Sequence, residues 1–270
     1  MTNLIKMPAE FDILRPQYVD GLMRYGNLSD GGYVLPKKTV EVIDGLVSFG
    51  ISSDWSFEKS IQNINPSISV HCYDHTISGF IFFKKVVKVF FRCLVFKASH
   101  QDLFGKLYIF IGYFLFFRGN IIHFKNRVVN KKKVRIDADL DLIISKMSKN
   151  KNLLFKIDIE GSEYKLIKDL IANKKIIPLL AIEFHDVDCL RRTFLEKINW
   201  LLEEYRIVHV HANNYGIISD DGVPDVLEIT FLRKDLVEAK FSTQATNKKL
   251  DFPNNPRLPD YVLDFGDLNK

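Results

Sequence analysis

The strongest constraint on the fold is a recurring unit in which a short apolar run stops at a glycine or an acid and a helical pattern follows. "DGLVSFG" (44–50) stops at Gly50 ahead of "DWSFEKSIQNINP" (54–66), and "ISVHCYD" (68–74) stops at Asp74. "LLFKIDIEG" (153–161) leads into "SEYKLIKDLIANKKIIP" (162–178), whose Tyr164, Ile167, Leu170 and Ile171 share one helical face before Pro178. "LLAIEFHD" (179–186) leads into "CLRRTFLEKINWLLEEY" (189–205), with Leu190, Phe194, Ile198, Leu201, Leu202 and Tyr205 on one stripe and Asp188 placed as the N-cap. Short apolar runs alternating with amphipathic helices predict an α/β fold with a parallel sheet and crossover helices.

The last third breaks this pattern. "YRIVHVHANN" (205–214) and "VLEITFLRK" (226–234) are two strands joined by a polar, glycine-containing segment with no helix between them, which predicts an antiparallel pair. At 270 residues the chain is expected to be one domain, 1–270, with an N-terminal extension over 1–43 and an insertion over 77–124. A hydrophobic content of 47% excludes a disordered chain, and a net charge of +5 is too small to argue for a nucleic-acid partner, so none is expected. Cys72, Cys93 and Cys189 are too scattered for a zinc site or a disulfide framework, and no leader pattern opens the sequence, so the expected compartment is the cytoplasm.

Residues 77–124 are packed with phenylalanine, and Asp102 is the one acid between Gly79 and Phe124. "ISGFIFFKKVVKVFFRCLVFK" is interrupted by Lys84, Lys85, Lys88 and Arg92, and "LYIFIGYFLFFRG" is about half of the roughly 20 residues a membrane span requires. Lys84, Lys88 and Arg92 recur at helical spacing, giving a basic stripe beside a broad apolar face. Three readings follow: peripheral contact with an anionic membrane through residues 80–118, a lid over a lipid-linked substrate, or a helical pair that packs on its own domain or on a second copy in a homo-oligomer.

Chemistry in such sheets gathers at the carboxyl ends of the strands. Gly50 lets the backbone approach a ligand at the next helix, and Asp74, a little over 20 residues on, is placed to bind ribose hydroxyls. Neither G-x-G-x-x-G nor a P-loop is present, which disfavours a dinucleotide fingerprint and an ATPase. "KIDIEG" brings Asp158 and Glu160 to a third strand end and "IEFHD" brings Glu183, His185 and Asp186 to a fourth. Carboxylates and an imidazole at one edge suit proton abstraction, a divalent cation, or simple capping with His185 as a core residue and Glu160 and Glu163 favouring a helix N-terminus. His209 and His211 share a strand face, where a metal or a half-exposed surface would explain them. The acids Asp137 and Asp139 form a D-x-D, but Leu140, Ile143, Ile144 and Met147 follow at helical spacing, so capping is the better account.

"KIDIEGSEYKLI" (156–167) also resembles the K-x-D-[IV]-E-G-x-E signature of the FkbM-like family of S-adenosylmethionine-dependent methyltransferases. "NLSDGGYVL" (27–35), "SFGISSDWSFE" (48–58) and "AIEFHD" (181–186) resemble other blocks of that family in the same order, over about Arg24 to Arg233 without the Phe-rich stretch. The resemblance implies a class I methyltransferase (Rossmann-like) sheet of seven strands with the final pair antiparallel, here carrying the Phe-rich basic helical insertion. It implies S-adenosylmethionine as cofactor, with the Gly50 loop, Asp54 and Glu58 toward its methionine end. Asp74 would hold the ribose and His75 would lie near the adenine, where Asp102 of "SHQDLFG" would supply the acid. Asp30, Gly31 and the residues to Tyr33 would close over the cofactor. Asp158 would lie beside the sulfonium and His185 would be the base on the acceptor hydroxyl, with Glu160 in the same catalytic set. Asp158, Glu183 and His185 are also the candidates for a divalent cation. Because members of the family usually methylate hydroxyls of sugars, glycans or secondary metabolites, the expectation is a cytoplasmic O-methyltransferase acting on a sugar or glycan, held at the inner membrane face by the insertion. The rivals are a metal-dependent glycosyltransferase using Asp137 and Asp139, and a membrane-associated binding module without catalysis.

Overall fold

The computed structural model describes residues 2–237 and 249–266. The strands are β1 (Thr2–Lys6), the hairpin β2 (Leu22–Tyr25) and β3 (Tyr33–Pro36), then β4 (Gly45–Phe49), β5 (Ser69–Tyr73) and β6 (Ile121–Phe124). A short pair, β7 (Arg127–Val128) and β8 (Asp137–Ala138), precedes β9 (Leu153–Ile157), β10 (Leu179–Phe184), β11 (Tyr205–Ala212), β12 (Leu227–Arg233) and β13 (Asp260–Asp264). The helices are α1 (Lys37–Val40), α2 (Ser56–Ile64), α3 (Gly79–Leu94), α4 (His100–Phe116), α5 (Leu140–Lys146), α6 (Ile167–Ala172) and α7 (Arg191–Glu204).

The main sheet runs β1-β13-β11-β12-β10-β9-β4-β5-β6. Its seven strands from β6 to β11 are parallel except β12, which lies antiparallel between β10 and β11. This is the expected Rossmann-like arrangement. Every residue of β4, β9 and β10 is buried, as strands covered on both faces require. Within β9, Leu153, Phe155 and Ile157 enter one core while Leu154 enters the other, following the period-two alternation of a strand. The N-terminal segment is integrated into the sheet: β1 pairs parallel with β13, which meets β11 antiparallel at Ala212 and Tyr261.

Two helices differ from expectation. The segment 162–178 splits into a 3₁₀ turn at Glu163–Lys165, α6, and a second turn at Lys174–Ile176, while Tyr164, Ile167 and Leu170 still face the core. Asp188 is not the N-cap of α7, because the helix starts later, at Arg191, and the Asp188 carboxylate takes the neighbouring Cys189 N–H at 2.7 Å. The entry into α7 is instead closed through the backbone of Asp186, which has φ 55° and accepts the Leu190 N–H, leaving Leu190 exposed.

One face of the sheet carries a row of charge. Glu183, Glu228 and His211 are direct register partners on β10, β12 and β11. His211 Nδ1 lies 3.1 Å from Glu228 Oε2, and its Nε2 lies 3.1 Å from Asp260 Oδ1. Both ring nitrogens therefore face acceptors. Burial alone would lower the His211 pKa, but the hydrogen bonds to Asp260 and Glu228 outweigh it and raise the value to about 10. His209, one row back, places Nε2 2.7 Å from Asp251 Oδ1. The two histidines are thus neither a half-exposed surface nor a metal pair; they tie the segment around Asp251–Asp260 to the sheet.

The unfolded chain holds His211 near the ordinary histidine value of about 6.5. Its contribution to stability is complete below that pH and is lost as pH rises toward about 10. Urea unfolding at pH 7 and pH 10 should give a larger loss for the wild type than for His211→Gln. The variant itself should be destabilised by roughly 3–5 kcal/mol at pH 7, because two buried carboxylates lose their counter-charge.

Candidate functional site

Three adjacent parallel strands, β5, β4 and β9, end at one edge, and the chain order reverses between them. Their ends open a cleft of about 280 Å³ lined by Gly50, Ser52, Asp74, His75, Asp158 and Glu160, with Asn126, Arg127 and Val128 on the side beyond β5. Gly50 has φ +70°, and a Cβ there would stand 1.7 Å from the Asp158 carbonyl oxygen. Only glycine lets the two strand ends approach this closely.

Asp74 orders the loop around it. Its Oδ2 accepts the Ser52 N–H at 2.9 Å and its Oδ1 accepts the Thr76 N–H at 2.7 Å and hydroxyl at 2.6 Å. Burial works to raise its pKa, but the Thr76 and Ser52 hydrogen bonds prevail and hold it below the usual aspartate range. A carboxylate has about four acceptor positions, so Asp74 keeps capacity on Oδ2 for a ligand hydroxyl. Its carbonyl is also engaged. His123 Nε2 donates to it at 2.8 Å, and Tyr113 on α4 donates to His123 Nδ1 at 2.8 Å.

Asp158 links the cleft to a second group. Its Oδ2 takes the Lys156 ammonium at 3.0 Å, and its Oδ1 lies 3.8 Å from His185 Nε2. The same nitrogen is 3.5 Å from Glu183 Oε1. Asp158, Glu183 and His185 each offer one ligand atom within 4.8 Å of the others, a set of hard oxygens and one imidazole that fits a divalent cation. Glu183 is fixed from behind by the Tyr33 hydroxyl, at 3.3 Å, and the Asn213 amide, at 3.1 Å. Burial, and then the charges of Asp158 and Glu228, push the Glu183 pKa well up.

Glu163 positions the histidine. Its Oε1 accepts the His185 backbone N–H at 2.9 Å and lies 3.4 Å from Nδ1, while Tyr164 donates its hydroxyl to the His185 carbonyl at 2.6 Å. The turn that returns Glu163 beneath His185 uses two left-handed residues, Glu160 at φ 48° and Gly161 at φ 89°. Burial alone would lower the His185 pKa, but the Glu163 hydrogen bond and the Glu183, Glu163 and Asp158 charges raise it to about 9.

The expected site residues therefore separate. Gly50, Asp74, His75, Asp158 and Glu160 meet at the cleft, and His185 and Glu183 adjoin it through Asp158. Glu160 lines the cleft but lies outside the acid–imidazole cluster, where buried Glu163 stands in its place. Asp30 and Gly31 sit on the β2–β3 turn, Asp30 beside Asn254, and Gly31 against Asp54. Asp54 is outside the cleft lining because its carboxylate is spent on the Asn27 amide and the Ser56 N–H. Glu58 is 1% exposed and bonded to Ser48, too deep to meet a ligand. Asp102 is a correction as well: it closes a capping box with Ser99 at the start of α4 and does not reach the cleft.

The D-x-D acids do not form a metal pair. Asp139 caps α5 through the Leu142 N–H at 3.1 Å, whereas Asp137 is buried and holds Arg127 Nη2 at 2.8 Å beside the cleft. Sequence reasoning missed Lys156 and Asn126–Arg127; it named Glu163 only as favouring a helix N-terminus and Tyr33 only as the end of a segment closing over the cofactor, not as the partners of His185 and Glu183. The lysine of "KIDIEG" was the one readable signal among them, since it lies two residues before Asp158 and therefore on the same strand face.

No protein-family model matches the chain, and no curated protein is similar to it in sequence. Among solved structures, the chain is similar over 73% of its length to a Methanococcus jannaschii fibrillarin pre-rRNA processing protein, of which it covers 69%, with 10% identity and a TM-score of 0.36. A precorrin-6y C5,15-methyltransferase from Geobacter metallireducens matches over 73% of this chain and 85% of its own, with 9% identity and a TM-score of 0.35. A fibrillarin/Nop5p complex matches over 70% and 72%, with 14% identity and a TM-score of 0.36.

Proposed function

We propose that the chain is an S-adenosylmethionine-dependent O-methyltransferase of the FkbM-like kind, acting on a hydroxyl of a sugar or glycan. The observation that carries this reading is the double role of Asp158, which lines the cleft at the end of β9 and also faces His185 Nε2 at 3.8 Å. A group that binds the donor is thereby in contact with a group that can take the acceptor's proton.

The cleft residues fit this cofactor. Gly50 offers backbone with no side chain in the way, Asp74 retains an acceptor site for a ribose hydroxyl, and Asp158 supplies negative charge for a cation. S-adenosylmethionine, when bound, supplies a methyl group already activated on a sulfonium. The chain's task is then to align the hydroxyl, exclude water and remove one proton. His185 serves as the base at Nε2, with Glu163 holding the ring from the Nδ1 side. The sugar or glycan acceptor rests on the likeness of "KIDIEGSEYKLI" to the family signature, because Glu183, Asn213, Glu228 and Asn254 are buried and already bonded to one another.

A cation-assisted form of the same reaction is the second reading, favoured by the convergence of Asp158, Glu183 and His185. These side chains would hold the ion, which lowers the pKa of a bound hydroxyl.

Calorimetric titration with S-adenosylhomocysteine tests the cofactor. The wild type should bind, Gly50→Ala should abolish binding, and Asp74→Asn should weaken it about tenfold or more, roughly 1.4 kcal/mol. Absence of binding to folded wild type would defeat the proposal. Because a base must be unprotonated, turnover on a glycan acceptor should rise with pH toward about 9. His185→Ala should lose about 10²–10⁴-fold in kcat together with that rising limb. If a chelator abolishes turnover and Mn²⁺ restores it, the cation-assisted form holds; turnover unaffected by the chelator excludes it.

A further inference from the structure

The α3–α4 hairpin is anchored on one side of its base, and exposed apolar side chains run along it from Phe80, Phe114 and Leu115 through Tyr108 to the far end. At its base, Trp55, just ahead of α2, stacks on Phe116 at 6.0 Å and meets Phe82, Tyr113 and Phe117 edge-on. Gly112 gives the indole room, since a Cβ there would stand 3.2 Å from Trp55. Toward the far end this packing stops. Phe90, Phe91, Leu94 and Phe104 are exposed, and Phe96, in the connecting turn, is 97% exposed.

Charge decides what covers this surface. Lys84, Lys85, Lys88, Arg92, Lys97 and Lys106 are all exposed on the hairpin. The single acid, Asp102, is already bonded to Ser99 by both backbone and hydroxyl. A two-fold dimer through this surface would set like charges against each other, because the same patch is used twice in such an interface. An anionic surface satisfies the ammonium groups and the aromatic rings together, since lysine stems can lie along apolar surface while their heads reach phosphate. No helix among the described residues is long and apolar enough to cross a membrane, so contact would be from one side.

We infer that the outer end of the α3–α4 hairpin docks on an anionic lipid bilayer, with Phe91, Leu94 and Phe96 entering the boundary between headgroups and acyl chains. The inference is independent of the methyltransferase reading. Docking energy comes from buried aromatic area plus attraction to lipid phosphates, so it weakens with salt.

The test is co-sedimentation of the full chain with vesicles of phosphatidylcholine alone or mixed with phosphatidylglycerol. Binding should require phosphatidylglycerol and decline with added salt. It should fall at least tenfold in Lys84→Glu/Lys88→Glu and in Leu94→Ser/Phe96→Ser, both of which change exposed side chains and should keep the wild-type unfolding midpoint. Equal binding to neutral vesicles, binding that survives both double variants, or no binding to either vesicle would overturn the inference. So would a concentration-dependent dimer, dissociated by Leu94→Ser/Phe96→Ser, in a chain that ignores vesicles.

Discussion

The Lys156 ammonium lies beneath the strand ends at 4% exposure, where it donates to the Gly50 carbonyl at 2.6 Å and to Asp158 at 3.0 Å. Burial should strip its proton, yet the charges of Asp158, Glu58 and Glu183 keep its pKa above the ordinary lysine value. The dependence is mutual, because the same ammonium works to lower the pKa of Glu58 and Glu183 against burial. One cation therefore joins the end of β4 to the end of β9 and makes a cluster of carboxylates tolerable at the site. Removing a single partner from such a group leaves the others buried and uncompensated.

The charge at the site extends across the sheet in register. Glu183, Glu228 and His211 follow from one row of pairing, and Lys156, Ala181, Thr230 and His209 from the row behind it. Polar groups on one sheet face need a cover that satisfies them. The β2–β3 hairpin and the residues around Asn254 provide it: Tyr33 bonds Glu183, the Val34 carbonyl accepts the Thr230 hydroxyl, and Asn254 bridges Glu228 and Asp30. The N-terminal and C-terminal segments are thus parts of the wall beside the site.

What the sequence made legible was local. The strands ending at Gly50, Asp74, Asp158 and Asp186 were readable because buried parallel strands are apolar runs with abrupt polar stops. The capping role of Asp139 was readable from the helical spacing after it. Glu58, Glu163 and Asp102 were misjudged because a carboxylate beside a helix start reads alike whether it caps, is buried or meets a ligand. The partners of His211 were invisible for another reason: Glu228 and Asp260 are 17 and 49 residues away, and only the strand register brings them together.

The insertion is joined to the site by a defined path rather than by proximity alone. Tyr113 on α4 donates to His123, and His123 donates to the carbonyl of Asp74, whose carboxylate orders the loop after Gly50. These two bonds require His123 to be neutral with its proton on Nε2, and burial lowers its pKa in agreement with that state. Trp55 supplies a second attachment, since it stands directly after the same loop and packs into the base of the hairpin. A force on the outer hairpin would therefore be felt both at Asp74 and at the end of the loop that follows Gly50. A surface that fixes the hairpin would fix the orientation of the cleft with it, which gives the exposed aromatic end a physical reason to be built onto this edge of the sheet.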